Sequence, residues 1–136
     1  MNLVETKNIT KIQSIYHLMP DLMHTWLIIN KDDQSIGMFE LQELTKVTAI
    51  IHMHIKSEYQ NLGYAIRSYR PLVKYIKENT EYQSLMAPVP QNNKRMLRVL
   101  TKTDFKCCGV VPSGIVYDNQ QQNLLLFELN VNEVQL

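Results

Sequence analysis

The sequence is short of cysteine, and this shortage excludes disulfide frameworks and thiolate metal sites. Its only cysteines are the adjacent pair Cys107 and Cys108. Adjacent cysteines rarely form a structural disulfide, and the chain has no CxxC or His/Cys spacing typical of zinc proteins. We therefore predict two buried thiols in a strand of a cytoplasmic protein, and no metal site.

The sequence also lacks a charge surplus and a long apolar run. Lys and Arg total 14 and Asp and Glu total 13, so the net charge is +1. A protein that binds nucleic acid through its overall charge needs a basic surface. Because this chain is nearly neutral, only a local basic patch could bind such a partner. No apolar stretch approaches the roughly 20 residues that span a bilayer. The N-terminus, MNLVETKN, has no signal-peptide pattern. We expect no membrane partner.

What is present is the composition of an ordinary globular protein. The chain has 136 residues, of which 45% are hydrophobic and 20% charged. This length is enough for one domain, residues 1–136, with a substantial core.

Apolar periodicity and turn residues predict an α+β fold. Asn8 is a candidate N-cap for the first helix, which we expect to end near Pro20. We expect Pro71 to kink or delay the second helix, and the polar loop 118–123 to be mobile. The order is β-α-β-β-β-α-β-α-β-β, with strands predicted at 3–5, 24–30, 36–44, 48–56, 83–89, 105–117 and 124–131, and helices at 9–20, 63–77 and 92–102.

The stretch from Thr48 to Ile76 organises this prediction. It consists of an apolar strand, a short polar turn ending at Gly63, and a helix. The first N–H groups of a helix have no internal partner, and the helix dipole favours negative charge there. We therefore expect a phosphate-bearing ligand at residues 60–65.

The turn and its surroundings resemble the GNAT superfamily of acetyl-CoA-dependent N-acetyltransferases. The family's pyrophosphate motif, Q/R-x-x-G-x-G/A, is matched by the run from Gln60 to Ala65. Asn93, the aliphatic helix after it, and Phe105 follow the family's downstream pattern. The resemblance implies a central, twisted mixed sheet with helices on both faces.

The resemblance also implies a cofactor, acetyl-CoA, and the residues that hold it. The backbone N–H groups of residues 62–65 would bind the pyrophosphate, and Asn93 would bond the pantetheine arm. The backbone of Ile55 and Lys56 would pair with that arm like an added strand. The implied cofactor-binding residues are Ile55, Lys56, Gln60, Asn61, Leu62, Gly63, Tyr64, Ala65 and Asn93.

Acyl transfer to an amine also needs a base. His52 and His54 are the best candidates by type, because an ordinary histidine pKa of about 6.5 suits the task. Glu40 and Glu43 are alternative bases, but we favour the interpretation that both are solvated charges at the edge of a strand. Tyr59 and Tyr117 could act as acids.

The last predicted helix carries four basic residues at helical spacing: Lys94, Arg95, Arg98 and Lys102. We favour a solvated helix face for them over a contact for the adenosine 3′-phosphate or an RNA.

Two functions stay open at this point. One is an N-acetyltransferase acting on an exposed amine of a protein, peptide or small molecule. The other is a non-enzymatic protein with a degenerate cofactor site, since small chains of this kind also resemble phage-encoded proteins associated with virion or head assembly. Leu100 replaces a Tyr that the family often uses as acid, and Asp104 replaces a Gly. Assembly as a homodimer also stays open.

Overall fold

The computed structural model describes residues 1–136, and its seven strands form one sheet. The element order is the predicted one. The strands are β1 (Asn2–Thr6), β2 (Thr25–Lys31), β3 (Gln34–Glu43), β4 (Thr48–Ile55), β5 (Ser84–Pro90), β6 (Lys106–Tyr117) and β7 (Gln120–Asn130). The helices are α1 (Ile9–Gln13), α2 (Tyr64–Arg67), α3 (Tyr69–Asn79) and α4 (Lys94–Thr101). None of these helices has the length and apolarity that crossing a bilayer requires.

The sheet has two antiparallel halves that meet at one short parallel pairing. Its strand order is β1-β2-β3-β4-β5-β7-β6. Strands β4 and β5 pair only over Thr48–Ile50 and Ser84–Met86. Beyond Ile50 the two strands separate, so the sheet has a gap between them at the carboxyl ends of both strands.

Helices cover both faces of the sheet, as expected. On one face, α1 packs through Ile12 against Trp26, Ile28 and Met38. On the opposite face, α3 and α4 pack with the larger core cluster, which contains Phe39 and residues from five of the strands. We call these the α1 face and the α3–α4 face.

The first helix is shorter than predicted. Asn8 caps it, because its side-chain oxygen accepts a hydrogen bond from the Lys11 N–H at 3.1 Å. Ser14 ends it by donating its hydroxyl to the Lys11 carbonyl. Leu18 and Met19 are exposed rather than buried on a helix face, and no helix lies between α1 and β2. The predicted extension to Pro20 is therefore wrong.

The second predicted helix is broken, as Pro71 indicates. The break falls at Ser68, which separates α2 from α3 and is fully buried. The Ser68 hydroxyl donates to the Ala65 carbonyl at 2.7 Å. Pro71 lies in the first turn of α3, where its missing N–H leaves the Arg67 carbonyl without a helical partner.

Two further predictions are wrong, and both concern β6 and β7. Cys107 and Cys108 are exposed, not buried, because β6 is an edge strand that little else covers. Asp118 and Asn119 both have positive φ, 52° and 59°. They form a tight two-residue turn of the type that hairpins favour, so most of the predicted loop belongs to β7.

Candidate functional site

The turn after β4 presents a row of free backbone donors. Asn61 and Gly63 both adopt the left-handed conformation, with φ of 62° and 81°. The backbone N–H groups of residues 62–65 donate no hydrogen bond within the chain. Consecutive unpaired N–H groups in such a turn form a concave anion-binding site. The turn therefore has the local geometry that the sequence predicted for residues 60–65.

A cavity of about 680 Å³ opens beside this turn. Its volume lies within the roughly 300–1,000 Å³ of small-molecule sites. The turn and α2 form one wall, and α4 forms the other. The predicted cofactor residues that line it are Ile55, Gln60, Asn61, Gly63, Tyr64, Ala65 and Asn93. Lys56 and Leu62 do not line it.

The backbone at the end of β4 differs from what the resemblance implies. The Lys56 N–H donates to the Ile36 carbonyl at 2.9 Å, and the Ile55 carbonyl accepts from Gln60 Nε2 at 3.0 Å. These two groups are therefore already paired. Met53, which no sequence motif indicated, lines the cavity one step deeper, beside the gap.

Two polar side chains connect the walls of the cavity. Gln60 donates to Ile55 and accepts a hydrogen bond from the Arg95 guanidinium. Gln60 therefore ties the turn to α4. Asn93 caps α4, because its side-chain oxygen accepts from the Met96 N–H at 3.2 Å. Its amide nitrogen donates no hydrogen bond within the chain, and the residue lines the cavity.

The basic face of α4 forms part of this wall. All four side chains are exposed, as predicted, yet all four line the cavity: Lys94, Arg95, Arg98 and Lys102. No Asp or Glu lines the cavity, and none of the four forms a salt bridge. The cavity is therefore strongly positive, although the whole chain is nearly neutral.

The predicted catalytic histidines lie on the other side of β4. His52 and His54 are half-buried and share the α1 face of the strand, whereas Met53 and Ile55 point to the α3–α4 face. Both follow Ile50, where the pairing with β5 stops. They therefore lie beside the same gap as the cavity, on its opposite side.

Glu40 is the centre of the polar cluster on this face. It pairs with His52 across the β3–β4 ladder. Its carboxylate lies 2.6 Å from His24 Nδ1 and 3.8 Å from His54 Nε2. Asp21 extends the cluster, 3.4 Å from His24 Nε2. The side chain of Glu40 is only 12% exposed, so the prediction of a solvated strand-edge charge is wrong for Glu40.

The cluster contains groups suited to proton transfer. Burial raises the pKa of Glu40, but the neighbouring His54, His24 and His52 outweigh burial and hold that pKa below its usual value. Burial lowers the pKa of His52, with Glu40 opposing the shift. At neutral pH, Glu40 is therefore a carboxylate and His52 a neutral imidazole. The Nε2 atom of His54 is buried without a hydrogen bond.

Sequence reasoning missed His24 as a member of this cluster. No local signal identifies it, because it meets Glu40 only through the pairing of β2 with β3. Leu100 is aliphatic and fully buried, so this position supplies no proton donor. Tyr59 and Tyr117 both line the cavity. The Tyr59 hydroxyl donates to Gln34 at 2.6 Å, whereas the Tyr117 hydroxyl has no partner within the chain.

The chain is similar to several solved acetyltransferases. A ribosomal-protein-alanine N-acetyltransferase from Brucella melitensis superposes with a TM-score of 0.75 at 12% identity, over 96% of this chain and 99% of that one. A chimera of a spermidine N-acetyltransferase from Vibrio cholerae gives 0.74 at 15% identity, over 81% and 68%. A GNAT-family acetyltransferase from Streptococcus pneumoniae gives 0.68 at 14% identity, over 79% and 66%.

These identities are low enough that the likeness shows a shared fold. No curated protein sequence matches the chain. The sequence model of the acetyltransferase (GNAT) domain, however, matches residues 5–106, three quarters of the chain. The matched region includes the turn, the cavity wall and the Glu40 cluster. The chain belongs to the GNAT family of acetyltransferases.

Proposed function

We propose that the protein transfers an acetyl group from acetyl-CoA to an amine. The observation that supports this most strongly is the row of unpaired N–H groups at residues 62–65, beside a positive cavity that no acidic side chain enters. Such a site fits a ligand with a pyrophosphate. The Glu40 cluster, on the other side of the same gap, provides the groups that an amine acceptor needs.

On the cofactor side, the chain's residues bind and orient. The turn would hold the pyrophosphate, and Arg95 would add a positive charge next to it. The Asn93 amide nitrogen would donate to the pantetheine arm. This arm would follow the gap past Met53, where β4 has no partner strand beyond Ile50. Acetyl-CoA supplies the thioester: transfer forms the C–N bond, breaks the C–S bond, releases one proton from the amine and frees CoA as the thiolate.

On the acceptor side, the chain's residues manage the proton. His52 is the better base, because it is neutral at pH 7 and is held beside a carboxylate that stabilises its protonated form. Glu40 positions His24 and attracts the ammonium form of the acceptor. His54 lies beside Glu40, with its Nε2 atom 3.8 Å from that carboxylate, and adds a further imidazole to the cluster. Tyr117 is the best-placed donor for the thiolate, since its hydroxyl is free at the cavity wall.

The acceptor side favours an amine on a peptide or protein over a polyamine. Only two carboxylates lie there, and His24 already pairs with both Glu40 and Asp21. A polyamine carries several positive charges and would need more carboxylates than these two. The adjoining loop also exposes four large apolar side chains, which suit the side chains of a polypeptide: Leu18, Met19, Leu22 and Met23.

The test is a transfer assay with a small panel of acceptors. The protein is incubated with acetyl-CoA and a peptide with a free N-terminal alanine, a lysine peptide blocked at its N-terminus, or spermidine. Products are separated by chromatography and weighed by mass spectrometry, because the exposed Cys107 and Cys108 would react with thiol dyes. We expect acetylated N-terminal peptide and an equal amount of CoA. No acetylated acceptor, with micromolar cofactor binding intact, would favour the second function below.

The second function is cofactor binding without turnover. The burial of Leu100 favours this function, because Leu100 occupies the position at which the family often has its acid, and this side chain points into the core. A protein of this kind would bind acetyl-CoA and CoA equally well and leave every acceptor unmodified. The same assay therefore separates the two functions.

A further inference from the structure

We propose that Arg98 and Lys102 bind the adenosine 3′-phosphate of the cofactor, and that the protein therefore discriminates CoA from its 3′-dephospho form. This inference rests on the proposed function, since it places CoA in the cavity. It adds a specificity site to the pyrophosphate turn, at the far end of α4.

The basic wall of the cavity carries a positive charge that no neighbouring carboxylate balances. Four cations line one wall of the cavity, without a carboxylate opposite and without a salt bridge. Arg95 already reaches the turn through Gln60. Unpaired like charges along one helix repel each other, which costs stability unless a ligand compensates. Apart from Arg95, three cations of this wall have no salt-bridge partner within the chain.

The basic residues of α4 are spread over a greater length than one pyrophosphate. Lys94, Arg98 and Lys102 follow one another every four positions, so they lie along one stripe of α4 and its C-terminal cap. From first to last, the stripe covers about 12 Å at the rise of an α-helix. A pyrophosphate is too short to contact the whole stripe. A second anionic group, some distance from the first, fits it better.

The last two cations of the stripe are placed to share one ligand group. Arg98 and Lys102 are one helical turn apart, so their side chains can converge on one phosphate. Lys102 also lines a smaller neighbouring cavity, whose other charged residues are Arg67, Arg70 and Asp104, so cations outnumber carboxylates there by three to one. The positive surface therefore continues beyond the pyrophosphate turn. CoA carries a phosphomonoester at the 3′ position of its ribose, with close to two negative charges at neutral pH.

The test compares CoA with 3′-dephospho-CoA by calorimetry on the intact protein. We expect CoA to bind about tenfold more tightly, the lower end of what charge-assisted contacts contribute. In the double variant Arg98→Gln/Lys102→Gln, the affinity for CoA should fall to that for dephospho-CoA. The affinity for dephospho-CoA should stay within about twofold, because this ligand has no 3′-phosphate for the two side chains to contact.

A matched control removes the same charge elsewhere. The double variant Lys74→Gln/Lys106→Gln loses two cations that line neither cavity, and it should keep the tenfold preference for CoA. Equal binding of CoA and dephospho-CoA by the wild type would overturn the inference and leave the proposed function intact. Binding of neither ligand would overturn both. Binding of a short RNA through Arg98 and Lys102, with no preference for CoA, would also overturn the inference.

Discussion

The two sides of the gap between β4 and β5 are built in different ways. The cofactor side consists mainly of consecutive backbone groups in one turn, residues 60–65, and of one helix face. The acceptor side consists of single side chains from several places, His24 before β2, Glu40 on β3, and His52 and His54 on β4. A backbone site tolerates many changes of side chain, whereas a side-chain cluster changes with each substitution. The comparison predicts that mutations on the two sides affect different measurements.

The largest effect is expected from Gly63→Glu on the cofactor side. Gly63 has a φ of 81°, which a residue with a Cβ adopts at a cost of about 1–2 kcal/mol, and the new carboxylate would repel the pyrophosphate. The affinity for acetyl-CoA should fall by about 100-fold or more. Calorimetry measures the affinity. Gly109→Glu is the control, because Gly109 lies on β6 away from the cavity, and an equal loss there would contradict this account.

The next effect is expected from Glu40→Gln on the acceptor side. The change keeps the shape of the side chain but removes the charge that His24, His52 and His54 surround. The value of kcat should fall by about 10- to 100-fold, at the lower end of what acid–base groups contribute. The Kd for acetyl-CoA should not change. Steady-state kinetics and calorimetry on the same sample test both statements, and a matching loss of cofactor affinity would show that the two sides are not separate.

A smaller effect is expected from Asn93→Asp, which separates two roles of one residue. Aspartate caps a helix about as well as asparagine, so thermal stability should stay within about 0.5 kcal/mol. It cannot donate a hydrogen bond to the pantetheine arm, so the affinity for acetyl-CoA should fall by about tenfold. Thermal unfolding and calorimetry give the two values. If stability falls and affinity does not, Asn93 is only a cap.

The smallest effect is expected in the pH dependence of stability. Burial lowers the pKa of His52 in the folded state from its usual 6.5, so the unfolded chain takes up this proton more readily. Stability should therefore decrease as the pH falls below about 6.5. In His52→Gln this part of the decrease should shrink, whereas His17→Gln, at an exposed position, should behave as the wild type. Melting temperatures between pH 5 and 8 measure this dependence. Identical curves for both variants would contradict the lowered pKa of His52.

The same comparison explains what could be predicted from the sequence. The order of elements and the turn at residues 60–65 were predicted correctly, because each depends on neighbours within a few positions. The Glu40–His24 contact could not be predicted, since it requires the register between β2 and β3. The exposure of Cys107 likewise depends on β6 being an edge strand, which strand order decides and local pattern does not.

The early end of α1 has a related cause. Apolar residues continue at helical spacing beyond Ser14, and the sequence therefore predicts a helix to Pro20. In the structure, Leu18 and Met19 face solvent beside the acceptor side. Local periodicity cannot distinguish a residue that packs in the core from one that is left exposed next to a binding site.

The central claim is that the turn at residues 62–65 binds the pyrophosphate of CoA. The most direct test is a titration of CoA into ¹⁵N-labelled protein, followed by the amide resonances of these residues. The account predicts large, saturable shifts at Leu62, Gly63, Tyr64 and Ala65, with much smaller shifts for amides around His24 on the other side of the sheet. Amide signals of the turn that stay unchanged up to millimolar CoA would contradict it.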